Sequence, residues 1–180
     1  MQKKNKTFKI CLTGMMSALV LIGTSVKIFI PIGPYSTMIH FGNAFCLLSA
    51  LLLGPINGGL ASGIGSLLFD LLNPMYITSA PFTFIFKFIM GFVCALIAKR
   101  NPHNTLRIIL ASTIASLIYI ILYISKNFIK NALLLNIEIH TSLIIMIKSL
   151  CAVLINAFFA VIIAVTLFKI IQHTISNIKH

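Results

Sequence analysis

Apolar segments about as long as a membrane-crossing helix recur along this 180-residue chain, and they constrain its fold more than any other feature. A helix needs about 20 mostly apolar residues to cross a bilayer. Apolar residues make up 59% of the sequence and charged residues only 9%, against about 25% charged in soluble proteins. The segments also lack the alternation of apolar and polar residues that a membrane β-barrel requires. The sequence therefore predicts a helical integral membrane protein.

Six segments of the chain have the composition of membrane helices. We expect an all-α bundle of six transmembrane helices, which forms a single integral membrane domain over residues 1–180. The stretch from Pro31 to Ile39 is predicted to be a loop, and Gly54-Pro55-Ile56-Asn57 a tight turn. The second and third helices are short for a full span, which favours tilt, a kink or partial re-entry. The predicted helices cover about residues 9–30, 40–53, 58–72, 81–98, 105–124 and 141–171.

The net charge of +12 is distributed unevenly over the predicted loops. Lys and Arg concentrate in cytoplasmic loops, so their distribution predicts the orientation of a multi-pass protein. The segments on one side contain Lys3, Lys4, Lys6, Lys9, Lys99, Arg100, Arg107, Lys169 and Lys179, and those on the other side only Lys27, Lys126 and Lys130. Both termini are therefore predicted to be cytoplasmic. Most of the charge then reflects topology, and we expect no nucleic-acid partner.

Sequence motifs for catalysis, metal binding and nucleotide hydrolysis are absent. The four cysteines lie in apolar runs with no Cys-x-x-Cys pair, and the five histidines lack metal-ligand spacing. We therefore expect no metal, no cofactor and no enzyme activity. Without a Walker A motif, active transport would need energy from another subunit or an ion gradient.

Three charged residues lie inside predicted helices: Asp70, Lys87 and Lys148. Each costs at least about 2.5–3.5 kcal/mol to place in a bilayer. All three fall at similar depth, near the side predicted to be outside. Two interpretations remain open. Asp70 and Lys87 form a structural ion pair while Lys148 reaches the lipid headgroups, or the three line a polar pocket for a ligand with anionic or hydrogen-bond-accepting groups.

Other polar residues fall in the same half of the predicted bundle. Tyr119 and Tyr123 fit an interfacial aromatic belt at least as well as a binding site. A hydrogen bond between helices is an equally good explanation for Asn156. The predicted substrate-binding residues are Tyr35, His40, Asn43, Asp70, Tyr76, Thr83, Lys87, Lys148 and Asn156.

Small residues four positions apart mark two of the predicted helices. The third helix contains Gly59 and Gly63, and the first contains Gly14 and Ala18. Such spacing lets helix backbones approach closely in lipid. We expect core packing for the third helix and a docking face for another protein on the first.

The chain resembles the substrate-binding S component of an energy-coupling factor (ECF) transporter, especially the riboflavin branch. Six helices and about 180 residues also fit that family. The resemblance is strongest from Ile39 to Ala98. It is carried by His40-Phe41-Gly42-Asn43, the run from Leu53 to Ser66, Phe69-Asp70-Leu71-Leu72, the run from Ala80 to Lys87, and Met90-Gly91.

This resemblance implies a protein of the bacterial cell membrane that binds a vitamin or vitamin precursor from outside. The site would lie among the outer ends of helices 4–6 and the outer loops. The implied partners are a membrane T component, which Gly14 and Ala18 would contact, and two cytoplasmic ATPase subunits. Riboflavin, pyrimidine, pyridoxine and thiamine-like ligands stay open. A stand-alone secondary transporter or channel, and a structural or assembly protein, remain alternative functions.

Overall fold

The computed structural model describes residues 6–32, 35–102, 104–130 and 139–178. Six α-helices and one two-stranded antiparallel sheet make up this part of the chain, with a short 3-10 turn at Ile77–Ser79. In chain order the elements are α1 Lys6–Ser25, β1 Lys27–Ile32, β2 Tyr35–His40, α2 Gly42–Leu53, α3 Pro55–Leu72, α4 Ala80–Ala98, α5 Thr105–Ile129 and α6 Ile139–Ile178.

Four of the described segments are long and apolar enough to cross a membrane: Lys6–Ser25, Ile77–Ala98, Thr105–Ile129 and Ser149–Asn177. α2 is apolar but has only 12 residues. α3 has 18 residues and is about 27 Å long, but Gly, Ser, Asn and Asp interrupt its apolar sequence. The predicted helical membrane bundle is confirmed at this level, while the cytoplasmic location of both termini stays a prediction.

The segment that follows α1 corrects the sequence prediction. The first helix is predicted to reach Ile30 and to be followed by a loop to Ile39, but α1 ends at Ser25. β1 and β2 then pair from Lys27↔His40 to Ile32↔Tyr35. An apolar run does not distinguish a helix from a strand. Ile28, Phe29 and Ile30 are residue types that favour strands, and Pro31 is unfavourable inside a helix.

The last two helices are also longer than predicted. α5 continues to Ile129 rather than ending near residue 124, and α6 covers 40 residues rather than residues 141–171. The prediction ends each helix where its apolar run ends. A helix can continue beyond the hydrocarbon region because its backbone hydrogen bonds are internal, so the limits of the apolar run underestimate its length.

α3 occupies the interior of the bundle and packs against α1, α2 and α4. Glycines make this possible, because a side chain at these positions would meet the neighbouring helices. A Cβ atom on Gly58 would lie 2.5 Å from Ala50 Cα in α2, and one on Gly63 would lie 3.0 Å from the Phe84 carbonyl oxygen in α4. On another face of α3, Gly65 packs against the Ser17 carbonyl group of α1.

Hydroxyl groups connect α2 and α3 within this close contact. Ser62 Oγ donates to the Gly58 carbonyl at 2.8 Å, and Ser49 Oγ lies 3.1 Å from Ser62 Oγ. Both serines are fully buried. The hydrogen bonds satisfy groups that would be costly to leave unpaired in an apolar core.

Candidate ligand-binding site

The hairpin, the start of α2, the end of α3 and the start of α4 lie at one end of the bundle, called the hairpin end here. Its central polar residue is Lys87, one of the three charges that the sequence analysis singled out. The Lys87 side chain is only 4% exposed. Its Nζ donates a hydrogen bond to Asn43 Oδ1 on α2 and lies 3.7 Å from the centre of the Tyr119 ring on α5. Three helices therefore meet at one ammonium group.

Asp70 is hydrogen-bonded to a side chain other than Lys87. It is 8% exposed, and its carboxyl group is hydrogen-bonded to the Thr83 side chain on α4. Lys87, Lys126 and Lys27 attract it electrostatically. The direct hydrogen-bond partners of Lys87 and Asp70 are thus uncharged side chains, and the two charges also attract each other electrostatically.

Asn156 connects the hairpin to α6. Its Oδ1 accepts a hydrogen bond from the backbone N–H of His40 at 3.0 Å, and its Nδ2 donates to the Ala152 carbonyl at 3.2 Å. Asn156 is 6% exposed. The predicted bond between two helices is therefore a bond between α6 and the last residue of β2.

The His40 imidazole is held neutral. Burial lowers the pKa of His40 to about 4, and repulsion from Lys87 and Lys27 acts in the same direction. Its Nδ1 is buried and has no hydrogen-bond partner among the described residues. At neutral pH this side chain therefore adds no charge to a region that already contains several lysines.

Aromatic rings hold two further lysines at the hairpin end. Lys27 Nζ lies 4.5 Å from the centre of the Phe69 ring and 5.5 Å from that of Tyr76. Lys126 Nζ donates to Ser79 Oγ at 3.1 Å and lies 5.9 Å from the centre of the Tyr123 ring. These contacts hold both lysines in place, because a cation above an aromatic face within about 6 Å is attracted to it.

The structure brings most of the predicted site residues to this end of the bundle. They are connected by direct bonds, by shared lysines or by electrostatic attraction: His40, Asn43, Asp70, Tyr76, Thr83, Lys87 and Asn156. The side chains of Tyr35 and Lys148 lie outside the described residues. Gly14 and Ala18, predicted to dock a partner, are exposed on α1.

Tyr119 is the contact that sequence reasoning missed. From the sequence alone, a tyrosine near the end of an apolar helix that faces the lipid headgroups cannot be distinguished from one that faces a buried lysine. Tyr119 and Tyr123 are four residues apart, with ring centres 6.0 Å from each other, and this spacing was the only signal that they share a face. The partner of the ring, 32 positions earlier on another helix, is decided by packing.

Two apolar cavities are open in the described part of the bundle. One, of about 530 Å³, lies between α5 and α6 and includes Ser116, Leu117 and Phe158 in its wall. The other, of about 290 Å³, lies between the hairpin, α2 and α6. His40 lines the second cavity, so apolar space adjoins the polar cluster at this residue. No group of three or more metal-ligating residues occurs among the residues described.

Comparisons with known proteins connect this geometry to a family. The sequence matches the family model described as ECF-type riboflavin transporter, S component, over residues 4–173. An uncharacterized protein from the gap 3′ region of Pyrococcus woesei is 30% identical over 106 residues, which are 59% of this chain and 70% of that protein. A solved structure of the S component of a bacterial ECF transporter has a TM-score of 0.74 at 21% identity, covering 95% of this chain and 99% of the other. This last likeness shows the fold.

Proposed function

The chain belongs to the family of ECF-type riboflavin transporter S components, and from this membership we propose that it binds riboflavin or a related vitamin for uptake. The predicted resemblance is thereby confirmed, and the protein is a membrane transport component rather than an enzyme. The identity of the ligand, the partner subunits and the orientation in the membrane belong to the proposal.

The buried ammonium group of Lys87 is the observation that carries the proposal. A charge inside a membrane protein is expensive and typically marks a functional site. Around Lys87 the structure supplies the Asn43 amide, the aromatic face of Tyr119 and, close by, the Asp70–Thr83 pair. Aromatic faces and hydrogen-bond donors suit a flat heteroaromatic vitamin with several acceptor atoms. The apolar cavity at His40 offers adjoining room for an apolar edge of such a ligand.

We propose that the hairpin end faces outward and that both termini are cytoplasmic, as the distribution of Lys and Arg predicts. The chain has no Walker A motif, so the energy for uptake would come from partner subunits. In this proposal a membrane T component docks on the exposed Gly14 and Ala18 of α1, and two cytoplasmic ATPase subunits drive transport.

The test is ligand binding by the purified chain alone. Riboflavin, thiamine, pyridoxine and a pyrimidine are offered separately without ATP, and small molecules that co-purify are identified by mass spectrometry. We expect one of them to bind tightly, and Lys87→Met to weaken binding about 100-fold because a charge-assisted hydrogen bond is lost. Lys99→Met is the matched control, since Lys99 is exposed immediately after α4.

Two results would contradict the proposal. In the first, none of the vitamins binds to the wild-type chain. In the second, the purified protein alone moves solute across liposomes along a gradient, which would favour the secondary transporter or channel.

A further inference from the structure

We propose that Tyr119 is a positioning residue of the ligand site: its ring face holds the Lys87 ammonium group in place, where the bound ligand accepts a hydrogen bond from it. This inference rests on the proposed function, because it concerns how the same site selects its ligand. It assigns Tyr119 to the site, whereas the sequence fitted an interfacial tyrosine at least as well as a binding residue.

The first support is the geometry of the cation–π contact. Lys87 Nζ lies 3.7 Å from the centre of the Tyr119 ring, whereas the other described lysine–ring distances range from 4.5 to 6.0 Å. Such contacts are strongest where water is excluded, and Lys87 is 4% exposed. The Tyr119 ring also packs against the hydrophobic core, which fixes the face on which the ammonium rests.

The second support is the number of hydrogen bonds that Lys87 can make. An ammonium group has three donors. The aromatic face attracts the charge without accepting a conventional hydrogen bond, and Asn43 Oδ1 accepts one. An ammonium group with three donors can therefore also donate to a carbonyl or anionic oxygen of a ligand.

The charged and titratable groups that act on Lys87 come from several elements. They are Asp70 on α3, Cys46 on α2, His40 at the end of β2 and Tyr123 on α5. Asp70 is the only residue of this group that is ordinarily ionised at neutral pH and opposite in charge to Lys87. Removal of the Tyr119 ring would leave the ammonium dependent on Asp70 and Asn43 alone.

The experiment compares two substitutions at one position. Tyr119→Phe keeps the ring face, and Tyr119→Leu keeps an apolar side chain without a ring. Binding of riboflavin, or of whichever vitamin the wild-type chain binds, is measured for each variant at the same pH.

We expect Tyr119→Phe to stay within about threefold of the wild-type affinity. Tyr119→Leu should bind about 10-fold more weakly, because the Lys87 side chain loses a desolvated cation–π contact. Phe82→Leu is the matched control, since that ring lies 6.0 Å from Lys126 instead. It should remain within about twofold of the wild type, as a substitution outside the Lys87 contact.

The outcomes separate this inference from the proposed function. If the wild type binds a vitamin and Tyr119→Leu has the same affinity, the positioning role is wrong while the proposed function stands. A loss in Tyr119→Phe as large as in Tyr119→Leu would also overturn it, because the hydroxyl and not the ring would then matter. If the Leu variant does not fold, a loss of binding in Tyr119→Phe still contradicts the inference. A wild-type chain that binds no vitamin overturns both proposals.

Discussion

Two stripes of small residues in this chain have the same spacing and opposite surroundings. In α3, Gly59 and Gly63 face α4, and substitution of either would bring a Cβ atom within about 3 Å of a phenylalanine of that helix. In α1, a Cβ atom added to Gly14 would have no atom of another described helix or strand within 4 Å, and Ala18 is also exposed. The α3 stripe is filled by the protein itself, and the α1 stripe is open.

This difference shows what such a pattern does and does not determine. Small residues four positions apart give a helix a smooth face on which another backbone can lie closely. The pattern does not determine which helix, of this protein or of another, provides that backbone. α1 packs against α3 with a different face, which includes Ser17 and Val20. The face of α1 that contains Gly14 and Ala18 is therefore not used in this contact. Substitutions at buried glycines of α3 and at the exposed positions of α1 test this comparison.

We expect the largest loss of stability from a leucine on the face of α3 that packs against α1. Gly65→Leu would collide with the Ser17 carbonyl group and with Val20 of α1, and relief would require movement of a backbone. Overpacking typically costs about 1–3 kcal/mol, and we expect the upper end of that range or failure to accumulate. Thermal unfolding in detergent measures this change. A melting temperature equal to that of the wild type would show that α1 and α3 are not in close contact.

A smaller substitution in the same helix should have a smaller effect. For Gly58→Ala we expect a net loss of about 2 kcal/mol, since overpacking against the α2 backbone costs about 3 kcal/mol and alanine returns about 1 kcal/mol of helix propensity. The 2.5 Å approach to Ala50 Cα is the reason. Unfolding of the purified variant in detergent measures this loss in the free energy of unfolding. A variant more stable than the wild type would contradict the close packing of Gly58 against α2.

Gly14→Leu separates folding from docking. We expect the free energy of unfolding to rise by up to about 1 kcal/mol, because leucine, like alanine, has a higher helix propensity than glycine and the position is exposed, and vitamin binding to be retained. Uptake by cells that contain the partner subunits should fall at least about 10-fold, because a large side chain blocks close helix approach. Ala18→Leu should reduce uptake in the same way. Unchanged uptake in both variants would show that the open stripe is not the docking face.

Gly14→Ala is the smallest change and the matched counterpart of Gly58→Ala. Because the position is open, only helix propensity acts, and we expect a gain of up to about 1 kcal/mol with uptake unaffected. Thermal unfolding and uptake are measured together. A destabilisation as large as that of Gly58→Ala would mean that the α1 stripe is packed after all.

The amino-acid sequence determined the class of this protein and the residue types of its candidate site. Long apolar runs predicted a helical membrane bundle, because membrane insertion depends on hydropathy summed over neighbouring residues. The same reasoning singled out Asp70 and Lys87, since a charge in an apolar run is expensive wherever the run packs. The motifs from Ile39 to Ala98 indicated the S component family, which the family comparison confirmed.

Only the tertiary structure decided how these residues are paired. The segment after Ser25 forms a hairpin, because the two strands satisfy each other's backbone groups once they meet. Lys87 bonds Asn43, 44 positions away, and its side-chain nitrogen rests on the ring of Tyr119. The α3 stripe is buried while the α1 stripe is open. The Lys87 contacts and the burial of the α3 stripe depend on elements distant in sequence, and local composition does not determine which elements meet.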